Sequence, residues 1–430
     1  MTQTSRLSAS QRVITPPPFA VAGLILSMAL VAVGNGLIFA YVPTRLGGLG
    51  YPPSMAGWIL TGMAAGGFLG CLAVGRLVKR VGHARAFMTL ASVMLLTHLL
   101  IGMTLDPILW IGARFAYGFA VTGLFIIAQS WMNDSCPNEW RGRVMAIFYM
   151  SYVLCIGLGG YLIAWIDLET PIGPMIAVLF GTLAILPVGL TNLPTPPPPE
   201  AVKVALRAVW RISPVGLVGL LAVGGLTMMV QGFAPIYAQE TGYSQSDIGL
   251  LVFLMQFGMI AVQMPLGALS DRMDRRIVLI IACVIIVVFA LICTRLEGMN
   301  LWLMIALFGI WAGATETIYA VATAHANDRA EPQYYVSLSM TMLFAWSASA
   351  FILPGATTVL TSFLGVTAYM YVAVVIACSY GLFVAYRIMR KEPVPEEDQE
   401  AYEPRAAQAA YAPDLAAPAI AEEIDQQVPR

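Results

Sequence analysis

Two charged residues stand inside apolar runs of this 430-residue sequence, and each is suited to chemistry that its neighbours cannot perform. Glu316 lies in WAGATETIYAVATAHAND, with Tyr319, Thr323 and Asn327 following at i+3, i+7 and i+11 to form one polar stripe of a helix. A carboxyl in low dielectric that trades its charge for a proton suits a proton carrier. The plainer alternative is a structural hydrogen bond inside a bundle. Arg114 opens RFAYGFAV, with Tyr117 and Gly118 on the same helical face. It either couples to a proton or a solute, or snorkels to a nearby membrane surface. His325 lies roughly opposite the Glu316 stripe and near the end of its run.

A second kind of chemistry is concentrated between apolar runs. The stretch GALSDRMDRR, Gly267 to Arg276, has five charged residues in ten, in a chain where only 11% of residues are charged. A relative of it, GRLVKRVGHAR, begins at Gly75 and carries Lys79 where the later copy has Asp271.

The surroundings of these residues read as a bilayer. Hydrophobic residues make up 59% of the chain and the mean hydropathy is +0.77, both outside the usage of globular domains. Apolar segments of about 20 residues, each enough to cross the hydrocarbon as a helix, recur twelve times. They cover 19–43, 55–75, 85–104, 107–132, 143–166 and 172–192, then 213–238, 245–268, 276–294, 299–325, 335–361 and 364–388. Barrel strands would alternate polar and apolar residues instead. The first run is too long for a secretory signal and has no convincing cleavage site, so it reads as a retained helix. The six cysteines show neither metal-ligand spacing nor a disulfide framework, and read as small apolar fillers.

Orientation follows from the basic residues. With a cytoplasmic N-terminus, all of the 23 Lys and Arg fall on the inner side except Arg45, Arg295 and the in-span Arg114. Both termini are then cytoplasmic. Residues 1–18 form a short N-terminal segment, and 193–212 a Pro-rich and basic linker in which Lys203, Arg207 and Arg211 make a stripe on a short surface helix. Residues 389–430 form an acidic tail without apolar periodicity, which reads as disordered.

The linker separates six spans, 19–192, from six more, 213–388. A shift of 192 residues places Gly57 on Gly249, Gly75 on Gly267, Leu77 on Leu269 and Arg80 on Arg272. A shift of 194 places Asn133 and Asp134 on Asn327 and Asp328. Parallel repeats of this kind are an architecture of secondary transporters, with a solute site near the midplane between halves.

On these residues the sequence resembles the major facilitator superfamily over about residues 19–388. The family's loop motif, roughly G-x-L-x-D-R-x-G-R-R, is matched at Gly267, Leu269, Asp271, Arg272, Arg275 and Arg276, with Asp274 replacing the second glycine. The first copy keeps Gly75, Leu77, Arg80 and Gly82, and its Lys79-Arg80 pair resembles a poorly characterised bacterial branch. The resemblance implies an all-α membrane protein of twelve transmembrane helices in two pseudo-symmetric six-helix bundles.

It also implies that helices 1, 4, 7 and 10 line the cavity. Their internal polar residues are Asn35, Arg114, Gln129, Thr227, Gln231, Glu316 and Tyr319. Gln256 and Gln263 read as packing residues of the eighth span, and Gly62, Gly66 and Gly70 as a close-approach surface. The charged loops, including Arg85, are implied to hold an inner gate. In it Asp271 would face the fifth helix near Arg141 and Arg143, where an anion at a helix N-terminus gains about 0.3–1 kcal/mol, and Lys79 would bond to Asp328 or Glu331. The fifth span reads CIGLGGYL, with Cys155 and Ile156 where an antiporter signature has Gly-Pro, so drug-proton exchange is only partly supported.

The expected function is secondary transport of a small organic solute across a bacterial inner membrane by alternating access, coupled to protons, with Glu316 paired to Arg114. A uniporter in which Glu316 only binds a cationic solute is one alternative, and a non-transporting membrane sensor or assembly factor is another. No Walker A sequence, metal cluster or nucleophile elbow is present, so neither enzyme chemistry nor a cofactor is expected. Partners are expected to be the solute, protons and lipid, with no nucleic acid, and the chain is expected to act as a monomer.

Overall fold

Loops of a few residues separate most of the apolar runs, so consecutive helices must fold back on one another. The computed structural model describes residues 18–136, 138–190, 204–295, 300–331 and 334–390. Twelve helices in it are long and apolar enough to cross a membrane. In the first half they are α1 (Pro18–Gly48), α2 (Pro53–Val81), α3 (His83–Met103), α4 (Pro107–Ser135), α5 (Asn138–Tyr161, continued by the 3-10 turn Leu162–Trp165) and α6 (Ile172–Gly189). In the second half they are α7 (Pro214–Glu240), α8 (Gln245–Ser270), α9 (Arg275–Cys293), α10 (Leu301–Asn327), α11 (Tyr335–Leu364) and α12 (Ala368–Ile388). Residues 1–17, Lys203 and the acidic tail from Lys391 lie outside the described residues.

Local sequence sets the helix ends. Asp106 accepts from the Ile108 amide at 2.8 Å with Pro107 in the first turn, and Asn300 accepts from Trp302 at 2.8 Å. Ser244 and Asp247 form a reciprocal capping box at the start of α8. The two loop motifs turn differently. Gly82 links α2 to α3 at φ +80°, a conformation that favours glycine. Its counterpart Asp274 sits at φ −52° and caps α9 by accepting from the Arg276 amide at 3.0 Å. The departure from the family motif therefore exchanges a glycine turn for a side-chain cap.

Within the first half, α1 packs on α5 and α6, α4 on α2 and α3, and α3 on α6. The second half repeats the plan with α7 on α11 and α12, α10 on α8 and α9, and α9 on α12. Between halves, α2 meets α11 and α5 meets α8, pairs that exchange under the internal repeat. Backbones approach closely where glycine allows it. A Cβ on Gly66 would collide with the Phe115 carbonyl of α4, and one on Gly118 with the Met63 carbonyl of α2. The equivalent crossing in the second half brings Gly258 against Gly309, where a Cβ would stand 2.7 Å from the opposing Cα. The glycine stripe of α2 is thus a packing surface.

One face carries the end of α6 and the start of α7 and is called the linker face here; the other is the opposite face. The short helix Leu206–Ile212 lies on the linker face against the second half. Val209 is buried, Trp210 stands 6.3 Å from Phe383, and the Ala205 amide bonds to Thr341 Oγ1 at 2.9 Å. Arg207 and Arg211 are exposed, as their spacing on the basic stripe requires.

On the same face, Arg275 at the start of α9 donates to Asp328 at the end of α10, at 2.7 Å and 3.3 Å, both side chains 1% exposed. Removing one partner of a buried pair strands the other charge at a cost of about 3–5 kcal/mol. Asp328→Asn is therefore expected to lower the thermal midpoint of the detergent-solubilised protein sharply, and Arg275→Met with Asp328→Leu to recover most of that loss. A midpoint unchanged by Asp328→Asn would show that the pair is not structural. The internal repeat puts His83 opposite Arg275, and His83 stands 3.5 Å from Ser130 Oγ. The two halves thus differ in this buried pair as well as at Lys79.

Candidate functional site

The halves enclose a central cavity with about 910 Å³ of empty space, its mouth included. Its walls come from α1, α2, α4 and α5 of one half and α7, α8 and α11 of the other. Aromatic and methionine side chains dominate, among them Phe68, Tyr117, Phe125, Met228 and Trp346, and no charged side chain is among the lining residues. Phe68 reaches across to Phe344 and Phe351 of α11, with ring centroids 5.5 Å and 6.2 Å apart.

Both intramembrane charges lie behind this wall. Glu316 is fully buried in α10; its Oε1 accepts from Gln231 Nε2 at 3.1 Å and stands 3.5 Å from Thr227 Oγ1. Gln231 belongs to a π-helical turn, Met228–Gly232, that the sequence pattern did not anticipate. Pro235 supplies a reason, since it has no N–H for the Gln231 carbonyl, and the Phe233 amide bonds back to Met228 instead. The turn points Gln231 both at Glu316 and into the cavity. Arg114 is 3% exposed; its Nη2 lies 2.7 Å from Met63 Sδ and its guanidinium 4.5 Å from the Tyr117 ring centre. Met63 and Tyr117 line the cavity. The expected Arg114 and Glu316 pair is therefore not formed here: each charge is held by its own half, one layer behind the wall.

The other expected residues divide similarly. Asn35 lines the cavity and donates to the Tyr152 hydroxyl at 3.4 Å. Thr227 and Gln129 are buried and Tyr319 half-buried, all outside the lining. Helix α10 contributes through Glu316 rather than through the wall itself. Gln256, read as a packing residue, lines the cavity instead, whereas Gln263 joins the halves by accepting from Tyr149 at 3.4 Å. Tyr152, Thr122 and Ser347 were missed. They lie on helices whose cavity face and lipid face carry similar residues.

Contacts between the halves crowd towards the opposite face. Gln245 Nε2 at the start of α8 donates to the carbonyls of Ile163 and Ile166, the latter at 2.7 Å. A Cβ on Gly57 of α2 would collide with Thr358 of α11, and one on Gly47 with Gln239. Towards the linker face, Cys71 Sγ meets Ser347 Oγ at 3.2 Å, while a Cβ on Gly75 further along α2 would meet nothing within 4 Å.

The charged loops lie beyond. Lys79, Arg80, Arg85, Asp271 and Arg272 are exposed, and Glu331 is exposed after α10. The expected Lys79 latch is not formed in this conformation, because Asp328 is taken by Arg275 of its own half. Arg141 donates to the Cys136 carbonyl at 3.4 Å, and Arg143 lies 5.5 Å from the Trp140 ring. Arg276 is buried and forks onto Asp274, with its closest approach 2.7 Å. Burial alone would raise the Asp274 carboxyl, but the bonds and charge of Arg276 hold it below its ordinary value. His325, with Arg276, Arg329 and Arg387, borders a separate small pocket by Ser213, away from the central cavity.

Comparison with known proteins agrees with this architecture. The sequence profile of the Major Facilitator Superfamily matches residues 24–243 and 215–420. An uncharacterized MFS-type transporter from Enterobacter sp. (strain 638) is 27% identical over 342 residues, covering 79% of this chain and 87% of the relative. The uncharacterized MFS-type transporter YcaD from Salmonella arizonae is 24% identical over 351 residues, covering 80% and 88%. Among solved structures, the nucleoside transporter NupG superposes with a TM-score of 0.66 at 12% identity, over 86% of this chain and 99% of its own. A bacterial homolog of the human lysosomal transporter Spinster, inward-facing and unoccupied, superposes at 0.63 with 15% identity, over 89% and 98%. At those identities the likeness is one of fold.

Proposed function

This chain belongs to the Major Facilitator Superfamily, and from that premise we propose that it moves a small organic solute across a bacterial inner membrane by alternating access, coupled to protons. It is an integral membrane transporter and not an enzyme. The observation that carries the reading is the cavity, built from both halves, closed by contacts at the opposite face and freer of them at the linker face. The excess of basic residues at the linker face supports a cytoplasmic location for it, and on that reading this is the inward-open form. The cavity is complete within one chain, which fits a monomer.

Coupling runs through Glu316. Protonation removes the charge that orients Gln231, and Gln231 is a wall residue of a π-turn, a helix irregularity of the kind frequent at functional sites. A proton thereby changes the relative stability of inward-open and outward-open forms. Arg114 acts through Tyr117, positioning it against the solute. The charged loops, with Lys79 and Asp271, come together only when the linker face closes.

The test is flux in proteoliposomes. Solute accumulation is expected to follow an imposed pH gradient and to collapse with a protonophore. The lack of any charged side chain on the cavity wall favours one second reading, a uniporter in which Glu316 only fixes Gln231. Flux insensitive to the protonophore would establish that second reading and remove the first.

A further inference from the structure

The amide side chains of the cavity wall have a one-sided hydrogen-bonding character, beside the Thr122 and Tyr152 hydroxyls, which can donate as well as accept. Three amide side chains line the cavity: Asn35 from one half, and Gln231 and Gln256 from the other. Their nitrogens are engaged by the protein. Asn35 Nδ2 donates to Tyr152 Oη, Gln231 Nε2 to Glu316 Oε1 and at 3.6 Å to Met259 Sδ, and Gln256 Nε2 to the Val252 carbonyl at 3.3 Å. A thioether and a backbone carbonyl only accept, so the orientations of Gln231 and Gln256 are fixed by chemistry. The three amide oxygens are left buried and without a protein partner. Gln231 and Gln256 are 3% and 2% exposed, so these are enclosed acceptors rather than surface groups.

Buried acceptors of this kind are filled by a ligand or by water. The amide oxygens repel a carboxylate or phosphate set against them, because an anion brings only further lone pairs there. An organic cation would give up its hydration on a wall that offers it no carboxylate, since Glu316 is fully buried behind Gln231. The surrounding Phe, Tyr, Trp and Met surface accommodates a flat apolar skeleton. We propose that the cavity selects an uncharged, flat solute that donates at least two N–H or O–H hydrogen bonds, received by Asn35 of one half and by Gln231 and Gln256 of the other. This inference rests on the reading of the cavity as the solute site. The placement of acceptors on both halves means that a bound solute ties them together, as closure around it requires.

The test uses the purified full chain and matched sets of small aromatic solutes. Each set holds a dihydroxy or diamino heteroaromatic, its O- or N-methylated counterpart, and carboxylate and ammonium counterparts on the same skeleton. Binding is read by intrinsic tryptophan fluorescence and thermal shift. Donor-bearing uncharged members are expected to bind, methylation to weaken binding about tenfold or more, and Gln256→Met to shrink that discrimination while leaving the fold intact. Ala64→Trp, which fills the cavity, is expected to abolish binding throughout, with elution on sizing confirming that it folds. Binding dominated by the anionic, cationic or methylated members, still blocked by Ala64→Trp, overturns the solute class and leaves the cavity reading standing. Binding that survives Ala64→Trp overturns the cavity reading itself. Absence of binding by every member overturns the solute class.

Discussion

Glu316→Gln is expected to abolish accumulation of solute driven by a pH gradient while solute exchange without a gradient persists. The substitution keeps the side chain's size and its hydrogen bonds with α7. What it removes is the ability to gain and lose a proton. Glu316 is fully enclosed, with Thr227 and Gln231 as its α7 neighbours, so under the proposed coupling its protonation state would reach the cavity wall through Gln231. A glutamine mimics the protonated carboxyl permanently, and the proton gradient then has no handle on the conformational equilibrium. A fall in driven accumulation of at least tenfold, about 1.4 kcal/mol of lost drive, with counterflow retained, is the expected pattern. Equal accumulation by both proteins would rule out Glu316 as the coupling group. Loss of both activities would point to a structural role, and a thermal midpoint measured alongside separates that case.

The second large effect concerns the opposite face. A Cβ built on Gly57 lies 3.2 Å from Thr358 Cβ, and the two residues belong to α2 and α11, the helices that join the halves. Disulfides span Cβ separations of about 3.5–4.5 Å, so a cysteine pair at these positions needs only a slight relaxation to close. Oxidation of Gly57→Cys with Thr358→Cys is expected to lock the opposite face shut. The solute then enters from the linker face and has no exit. The six native cysteines are free thiols among the described residues, so the single-cysteine variants serve as controls.

Much of this fold was legible in the sequence because hydropathy is read directly by lipid. Span number, the six-and-six division and the close-approach glycine surface of α2 all follow from runs and spacings that a bilayer enforces, whereas its partner α4 came from the structure. The charges were legible too, since an in-span Arg or Glu stands out against its surroundings. Their partners were not. Arg114 and Glu316 were expected to meet, yet Met63 and Tyr117 hold one, and Thr227 and Gln231 neighbour the other. Opposite charge is a poor guide to pairing when each residue is already enclosed by neighbours of its own half. Asp328 makes the same point. It was one of two acids, with Glu331, assigned to Lys79 across the halves, and Arg275, fixed at the start of a neighbouring helix, pairs with it instead.

The cavity wall was the least legible part. Helical periodicity locates a polar residue on a helix but does not say whether that face meets lipid, a neighbouring helix or an empty space. Gln256 and Gln263 stand two turns apart on α8, and one faces the cavity while the other bonds to Tyr149. The π-turn in α7 was equally hidden, because its only mark in the sequence is Pro235 four residues after Gln231.

The central claim is that one cavity opens to each face in turn as the two halves move about it. Solute counterflow through Gly57→Cys with Thr358→Cys in proteoliposomes measures it most directly. Alternating access requires full counterflow in the reduced protein, none after oxidation and recovery on reduction, with the single-cysteine variants indifferent to oxidant. Undiminished counterflow through the fully cross-linked protein would contradict it.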